Sequence, residues 1–201
     1  YNALHDLVKQ RRSIRQFKHK IPTDDEIRKI IEVARWAPSA SNSQPWTFVV
    51  VTDEDFKEKL FDIIGKPKQI PIVPDPIKGA RIAGMRRSFM NGSLIFIFND
   101  IRIGKYFRGK LNDSSLANVM FLIQLAATSM GLGAQYVGQF CFPQNEAKVK
   151  ELLEIPEELQ IYYMVAVGYP AKRPGPKPVK EISELLHFNT FDKSKILNDE
   201  E

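Results

Sequence analysis

The chain has 201 residues, 43% of them hydrophobic and 26% charged, with a net charge of +5. This is ordinary folded-chain composition at a size that suits one core, and it excludes a disordered or low-complexity protein. No apolar run approaches the ~20 residues that cross a bilayer, the opening Tyr1–Asp6 lacks the charged-then-apolar form of a signal peptide, and the single cysteine, Cys141, excludes an internal disulfide framework, so a cytoplasmic protein is expected.

In chain order, Leu4, Leu7, Val8 and Arg11 recur at helical spacing, predicting a short amphipathic helix over Asn2–Arg11. Thr23-Asp24-Asp25-Glu26 has the form of a capping box. Ile27, Ile30, Ile31 and Ala34 then make the apolar stripe of a helix that ends before Pro38. Trp46–Thr52, aromatic and β-branched throughout, predicts a buried strand, and Asp53–Ile64 a helix opened by acidic residues. Gly65–Gly79 carries Pro67, Pro71, Pro74 and Pro76, and the 65–90 stretch is read as an excursion able to act as a lid.

Ser93–Asn99 is a second buried strand. Asp113–Met130 is a long, mostly apolar helix stopped at Gly131, and its small polar face predicts a central position or packing on another subunit. Ala134–Val137 begins a third strand, Pro143 to Leu153 forms a helix, and Ile161–Val167 is a fourth strand. The proline-rich 170–201 tail should be extended rather than helical, and one physical use for it is to embrace a partner subunit. The expected fold is a single α+β domain over residues 1–201, with a mixed central β-sheet flanked by helices.

Lys9, Arg11, Arg12, Arg15, Lys18 and Lys20 crowd one stretch. Nucleic-acid binders spread such charge over a face and interleave aromatics or a recognised motif, which this chain does not do. Arg11-Arg12-Ser13-Ile14-Arg15 instead places guanidinium forks and a hydroxyl close enough to surround one phosphate monoester. In an extended segment Arg11, Ser13 and Arg15 share a side while Ile14 packs inward; a basic helix end complementing the dipole is the plainer alternative. Ala37-Pro38-Ser39-Ala40-Ser41-Asn42-Ser43-Gln44-Pro45 makes a rigid loop with exposed backbone groups and little side-chain bulk, able to lie against a flat heteroaromatic ring. Trp46 after it reads as core.

His5, His19 and His187 occupy no ligand-spaced motif, so no metal site is expected. Cys141, between Phe140 and Phe142, reads as a small buried hydrophobe. Ser39 and Ser41 lack the glycine-flanked elbow of a hydrolase nucleophile, and Gly131-Leu132-Gly133 lacks the third glycine of a dinucleotide fingerprint.

R-R-S-I-R-Q-F, the helix from Thr23, and A-P-S-A-S-N-S-Q-P-W-T-F-V-V-V resemble the start of the nitroreductase family of FMN enzymes. G-L-G-A-Q-Y-V-G-Q-F and V-A-V-G-Y-P-A-K-R-P-G-P-K-P-V-K resemble its middle and end, so the likeness runs from about Asp6 to about Asn189 in the family order. The resemblance implies a nitroreductase-like fold with the long helix at a homodimer interface. It implies that Arg11, Arg12, Ser13 and Arg15 hold the FMN phosphate and ribityl chain, and that Pro38, Ser39, Ala40, Ser41 and Asn42 contact ribityl or ring from the other subunit. Tyr136, Val137, Gly138 and Gln139 would lie beside the ring, with a backbone N–H near flavin N5.

The family's tail arginine is replaced here, where Val179-Lys180-Glu181 stands, so Lys177 or Lys180 would serve the phosphate in its place. The chemistry would belong to the flavin, with NADH or NADPH as a transient donor and a nitroaromatic, quinone or similar small molecule as acceptor. The same family implies two alternatives: reductive dehalogenation, as in iodotyrosine deiodinase, and oxygen-dependent flavin fragmentation. A non-catalytic flavin- or nucleic-acid-binding protein is the reading from a different class.

Overall fold

The computed structural model describes residues 1–64, 86–103 and 110–192. Its elements run α1 (Asn2–Gln10), α2 (Asp24–Ala34), β1 (Trp46–Val51), α3 (Glu54–Ile64), β2 (Ser93–Asp100), α4 (Lys110–Ser129), β3 (Gly133–Val137), α5 (Pro143–Leu152), β4 (Leu159–Gly168) and a short α6 (Ile182–Leu185). Single 3-10 turns occupy Ala40–Asn42 and Gln139–Cys141.

The four described strands form one sheet in the order β1-β2-β4-β3. Its middle strands are buried on both faces, and alternation sorts their side chains into two cores. Leu94, Phe96 and Phe98 of β2 join Met164 and Ala166 of β4, Leu60 and Phe61 of α3 and Val149 of α5. Ile95 and Ile97 turn the other way with Val165 and Val167, against Ile27, Ile30 and Ala34 of α2 and Leu116, Val119 and Ile123 of α4. The result is a sheet between two helical layers.

All three strand pairings are antiparallel, with an irregularity in the β2–β4 register between Ile97 and Phe98. Among the described residues the parallel element is an isolated Ser13–Ala134 bridge beside β3. A strand covered on both faces reads as a continuous apolar run whichever way its neighbours point, so residue pattern carried no parity signal here.

Helix α2 starts as its capping box requires. The Glu26 N–H donates to Thr23 Oγ1 at 3.3 Å, and the Thr23 N–H donates to Glu26 Oε2 at 2.8 Å. The other carboxylate oxygen accepts from the Tyr169 hydroxyl at 2.7 Å, fastening the helix start to the end of β4. The Thr23 backbone N–H, followed by the Tyr169 hydroxyl, holds the Glu26 carboxyl below its ordinary pKa of 4.5. A depressed carboxylate stabilises the fold above its unfolded pKa, and that stability is lost as pH falls through the folded value. Glu26→Ala, which removes both the capping-box acceptor and the Tyr169 contact, is therefore expected to lower stability by about 1 kcal/mol at pH 7, the scale of a lost cap. The difference from wild type should shrink on acidification below 4.5; urea unfolding at pH 7 and pH 3.5 measures it, and an equal difference at both would contradict the linkage.

The tail departs from expectation in part. Residues 171–181 are exposed and extended, but Ile182–Leu185 forms one helical turn. Its start is closed by a capping pair in which the Glu181 N–H donates to Glu184 Oε1 at 2.7 Å, a local contact that overrides the breaking effect of the prolines before it. Trp46 is half-buried against the second core rather than fully enclosed. The expected lid falls outside the described residues except for its end, where residues 86–90 are helical.

Candidate functional site

The Arg11–Arg15 segment leaves α1 and runs beside β3, where the backbone fixes which residues face inward. The Ile14 N–H donates to the Ala134 carbonyl at 3.0 Å, the Lys18 N–H to Tyr169 at 2.8 Å, and the Ala171 N–H to Gln16 at 2.9 Å. Ile14 and Phe17 are 4% and 3% exposed and act as the segment's two anchors. Each sits where a glycine leaves room. A Cβ at Gly133 would lie 2.6 Å from Ile14 Cβ, and one at Gly168 would lie 2.5 Å from Phe17 Cγ.

With those residues turned inward, Arg11, Arg12, Ser13 and Arg15 line an open cavity of about 510 Å³. Phe121 and Gln124 of α4, Tyr136 of β3, and Pro174 and Lys177 of the tail complete its wall. Arg11 Nη1 donates to Gln124 Oε1 at 3.2 Å, setting its fork against α4. Arg12 donates to the Gly175 carbonyl, and Arg173 Nη2 to the Gly131 carbonyl at 3.4 Å, so the tail is drawn across the cavity rim. Four fixed cations and a hydroxyl around one hollow form a donor set for a doubly charged anion. The exposed faces of Tyr136 and Phe121 add apolar surface beside it.

The site residues expected from the sequence divide into two groups. Arg11, Arg12, Ser13, Arg15, Tyr136 and Lys177 share the cavity. Val137 is 4% exposed and points into the core, while Gly138 and Gln139, also outside the lining, lead into the 3-10 turn that follows β3. Lys180 is exposed on the tail and does not line the cavity. Pro38, Ser39, Ala40, Ser41 and Asn42 sit elsewhere, over the first half of α4. The Ala40 N–H donates to Ser115 Oγ at 3.2 Å, and Asn118 Nδ2 to the Pro38 carbonyl at 3.3 Å. Ser115 precedes Gln124 on α4 by about 13 Å of helix rise. Asn118 is about one turn before Phe121 of the cavity wall, yet none of the five loop residues lines the cavity of its own chain.

That loop stores conformational cost. Ser41, Asn42 and Gln44 have φ of 50°, 53° and 47°, a region non-glycine residues seldom occupy. The Gln44 N–H bonded to Ser39 Oγ at 3.0 Å, and Gln44 Nε2 bonded to Asn42 Oδ1 at 3.2 Å, hold the turn in shape. Strain of this kind concentrates where a backbone must present its polar groups to a ligand.

Residues gathering around the cavity without a sequence signal are Gln124, Phe121 and Pro174. Gln124 is 5% exposed in an otherwise apolar helix, and a buried amide in such a stretch was the only available hint. Cys141 is half-buried rather than fully enclosed, because its Sγ reaches the Tyr162 carbonyl at the edge of the core. Burial, then Glu146, pushes its pKa up to about 11, so the protonated thiol is favoured at neutral pH. Among the described residues no group of acidic, histidine or cysteine side chains is arranged to hold a metal ion. No described helix is long and apolar enough to cross a membrane.

Residues 8–169 match the sequence model of the Nitroreductase family. An NADPH-dependent oxidoreductase of Staphylococcus haemolyticus is 28% identical over 194 residues, covering 94% of this chain and 74% of the relative. An iodotyrosine deiodinase of Thermotoga neapolitana is 28% identical over 199 residues, covering 94% and 98%. Among solved structures, iodotyrosine deiodinase bound to FMN and 3-iodo-L-tyrosine superimposes with a TM-score of 0.76 at 25% identity, covering 94% of this chain and 100% of that one.

Proposed function

This chain belongs to the nitroreductase family, and from that premise we propose that it is an FMN-dependent NAD(P)H oxidoreductase acting on small aromatic or quinoid acceptors. The observation that carries the reading is the cavity in which Arg11, Arg12, Ser13, Arg15 and Lys177 converge beside the exposed ring of Tyr136. The donor set fits a phosphate monoester, and the volume admits the ribityl end of a flavin.

FMN held there would supply the redox chemistry between NADH or NADPH and the acceptor. The protein's own work is binding and orientation. Arg11, already set by Gln124, and Arg15 neutralise the phosphate, with Ser13 donating a hydroxyl. Arg12 and Lys177 bring the tail over the same charge. Tyr136 walls one side, and Val137, Gly138 and Gln139 follow it outside the lining. Lys180 stands in reserve on the tail.

The loop Pro38–Asn42 requires a second copy. None of its residues lines the cavity of its own chain, and the partner's loop completes the site in a homodimer. Apolar tail residues support this reading: Val179, Ile182 and Phe188 are 72%, 74% and 78% exposed, which a lone chain would leave in water. Leu111 and Phe121 on α4, 50% and 42% exposed, would bury against the same partner.

Purified protein should be yellow, run as a dimer, and oxidise NADH or NADPH only when an acceptor is supplied. Protein that stays colourless after incubation with FMN and gel filtration would remove the cofactor reading. A reductive dehalogenase is the second reading, favoured by the near end-to-end match to a named deiodinase. Turnover of halogenated tyrosines, with no nitroaromatic or quinone reduction, would decide for it.

A further inference from the structure

At Phe17, just past the Arg11–Arg15 segment, buried polar side chains meet on residues 86–92. Lys57 of α3 is wholly buried, and its Nζ donates to the Met90 carbonyl at 3.3 Å. Asn91, 8% exposed, donates through Nδ2 to the Phe17 carbonyl at 3.1 Å. From the opposite wall Gln135, the neighbour of Tyr136, donates through Nε2 to Ser88 Oγ at 2.7 Å. Gly92 closes the turn so tightly that an added Cβ would lie 2.6 Å from the Ser88 carbonyl and 3.1 Å from the Phe17 ring.

A wholly buried ammonium is costly, and an unbranched apolar residue would fill the same volume without that cost. What the charge adds is a donor for a carbonyl at the end of the 86–90 helical turn, where such groups lack helical partners. Holding that carbonyl orients the peptide leading into Asn91, and Asn91 in turn holds the Phe17 carbonyl, two positions beyond Arg15. We propose that Lys57 and Asn91 are positioning residues for the anionic end of the cofactor site, fixing the Arg11–Arg15 segment in place without touching the ligand. The inference rests on the FMN reading above and adds to it which buried residues set its phosphate affinity.

Riboflavin lacks the phosphate, which gives a discriminating probe. Flavin-free wild type, Lys57→Met, Asn91→Ala and the double variant are titrated with FMN and with riboflavin, following quenching of flavin fluorescence. Each single variant is expected to weaken FMN binding by up to roughly tenfold, the scale of one hydrogen bond's net worth, while riboflavin binding holds. Because the residues act in series, the double variant should lose no more than the worse single.

Equal loss for both flavins, unchanged FMN affinity despite a lower melting temperature, or additive losses would each overturn the proposal. Should Lys57→Met fail to fold, the FMN-to-riboflavin ratio of Asn91→Ala decides alone. Wild type that binds neither flavin overturns the cofactor reading itself, a result distinct from wild-type binding with indifferent variants.

Discussion

Phe17→Ala is expected to cost about 3–5 kcal/mol of stability, the range for emptying a fully buried aromatic site. The side chain is 3% exposed in the first core. Its ring lies where a Cβ at Gly168 would come within 2.5 Å and one at Gly92 within 3.1 Å. Backbone that close cannot collapse far into the space left behind. The same residue carries the carbonyl that Asn91 holds, so the loss should spread to the Arg11–Arg15 segment and weaken FMN binding as well.

Urea unfolding of the flavin-free protein measures the first effect, and a loss under about 1 kcal/mol would mean that Phe17 is not the anchor described. Gly168→Ala tests the contact from the other side. Alone it should destabilise by about 1–3 kcal/mol through overpacking, whereas in the Phe17→Ala background it should cost less, because the two ring atoms it strikes hardest are gone and only the Cβ, 3.0 Å away, remains. Such non-additivity distinguishes direct contact from two independent defects.

The second large effect concerns ligand binding rather than folding. Arg15→Ala is expected to lower FMN affinity roughly 10- to 150-fold, from the 1.5–3 kcal/mol typical of hydrogen bonds to charged groups. Arg11 and Arg12 are engaged with Gln124 and the Gly175 carbonyl, while Arg15 is exposed on the cavity wall. Its removal should leave stability almost unchanged, since exposed substitutions away from structural contacts shift it by only about 0.5 kcal/mol. FMN that survives gel filtration on Arg15→Ala as well as on wild type would count against the phosphate assignment.

The binding segment was legible in advance because its chemistry and its packing alternate. Period alone assigned Arg11, Ser13 and Arg15 to one side and Ile14 to the other; those three line the cavity and Ile14 is buried, but Arg12, out of phase with them, lines the cavity as well. Lys57 was not legible. It occurs in a helix rich in acids and lysines, where a charged side chain ordinarily faces water, and only the fold brings the Met90 carbonyl against it. That Pro38–Asn42 would not line its own chain's cavity came from the family resemblance, whereas the contacts that seat it, Ser115 and Asn118 of α4, could not be read from the order of residues.

The amino-acid sequence by itself determined the elements and their faces. Apolar periodicity placed the helices and strands close to their observed bounds, the Thr23–Glu26 pair set the start of α2, and the basic run supplied a phosphate-sized cluster of donors. These follow from interactions within a few residues, which the order of side chains largely decides. Tertiary structure decided the rest: strand direction, the seating of Phe17 between Gly92 and Gly168, the tail across the cavity, and the division of the site between two stretches of α4. Those depend on contacts between segments far apart in the chain, whose energies exist only once the sheet has brought them together.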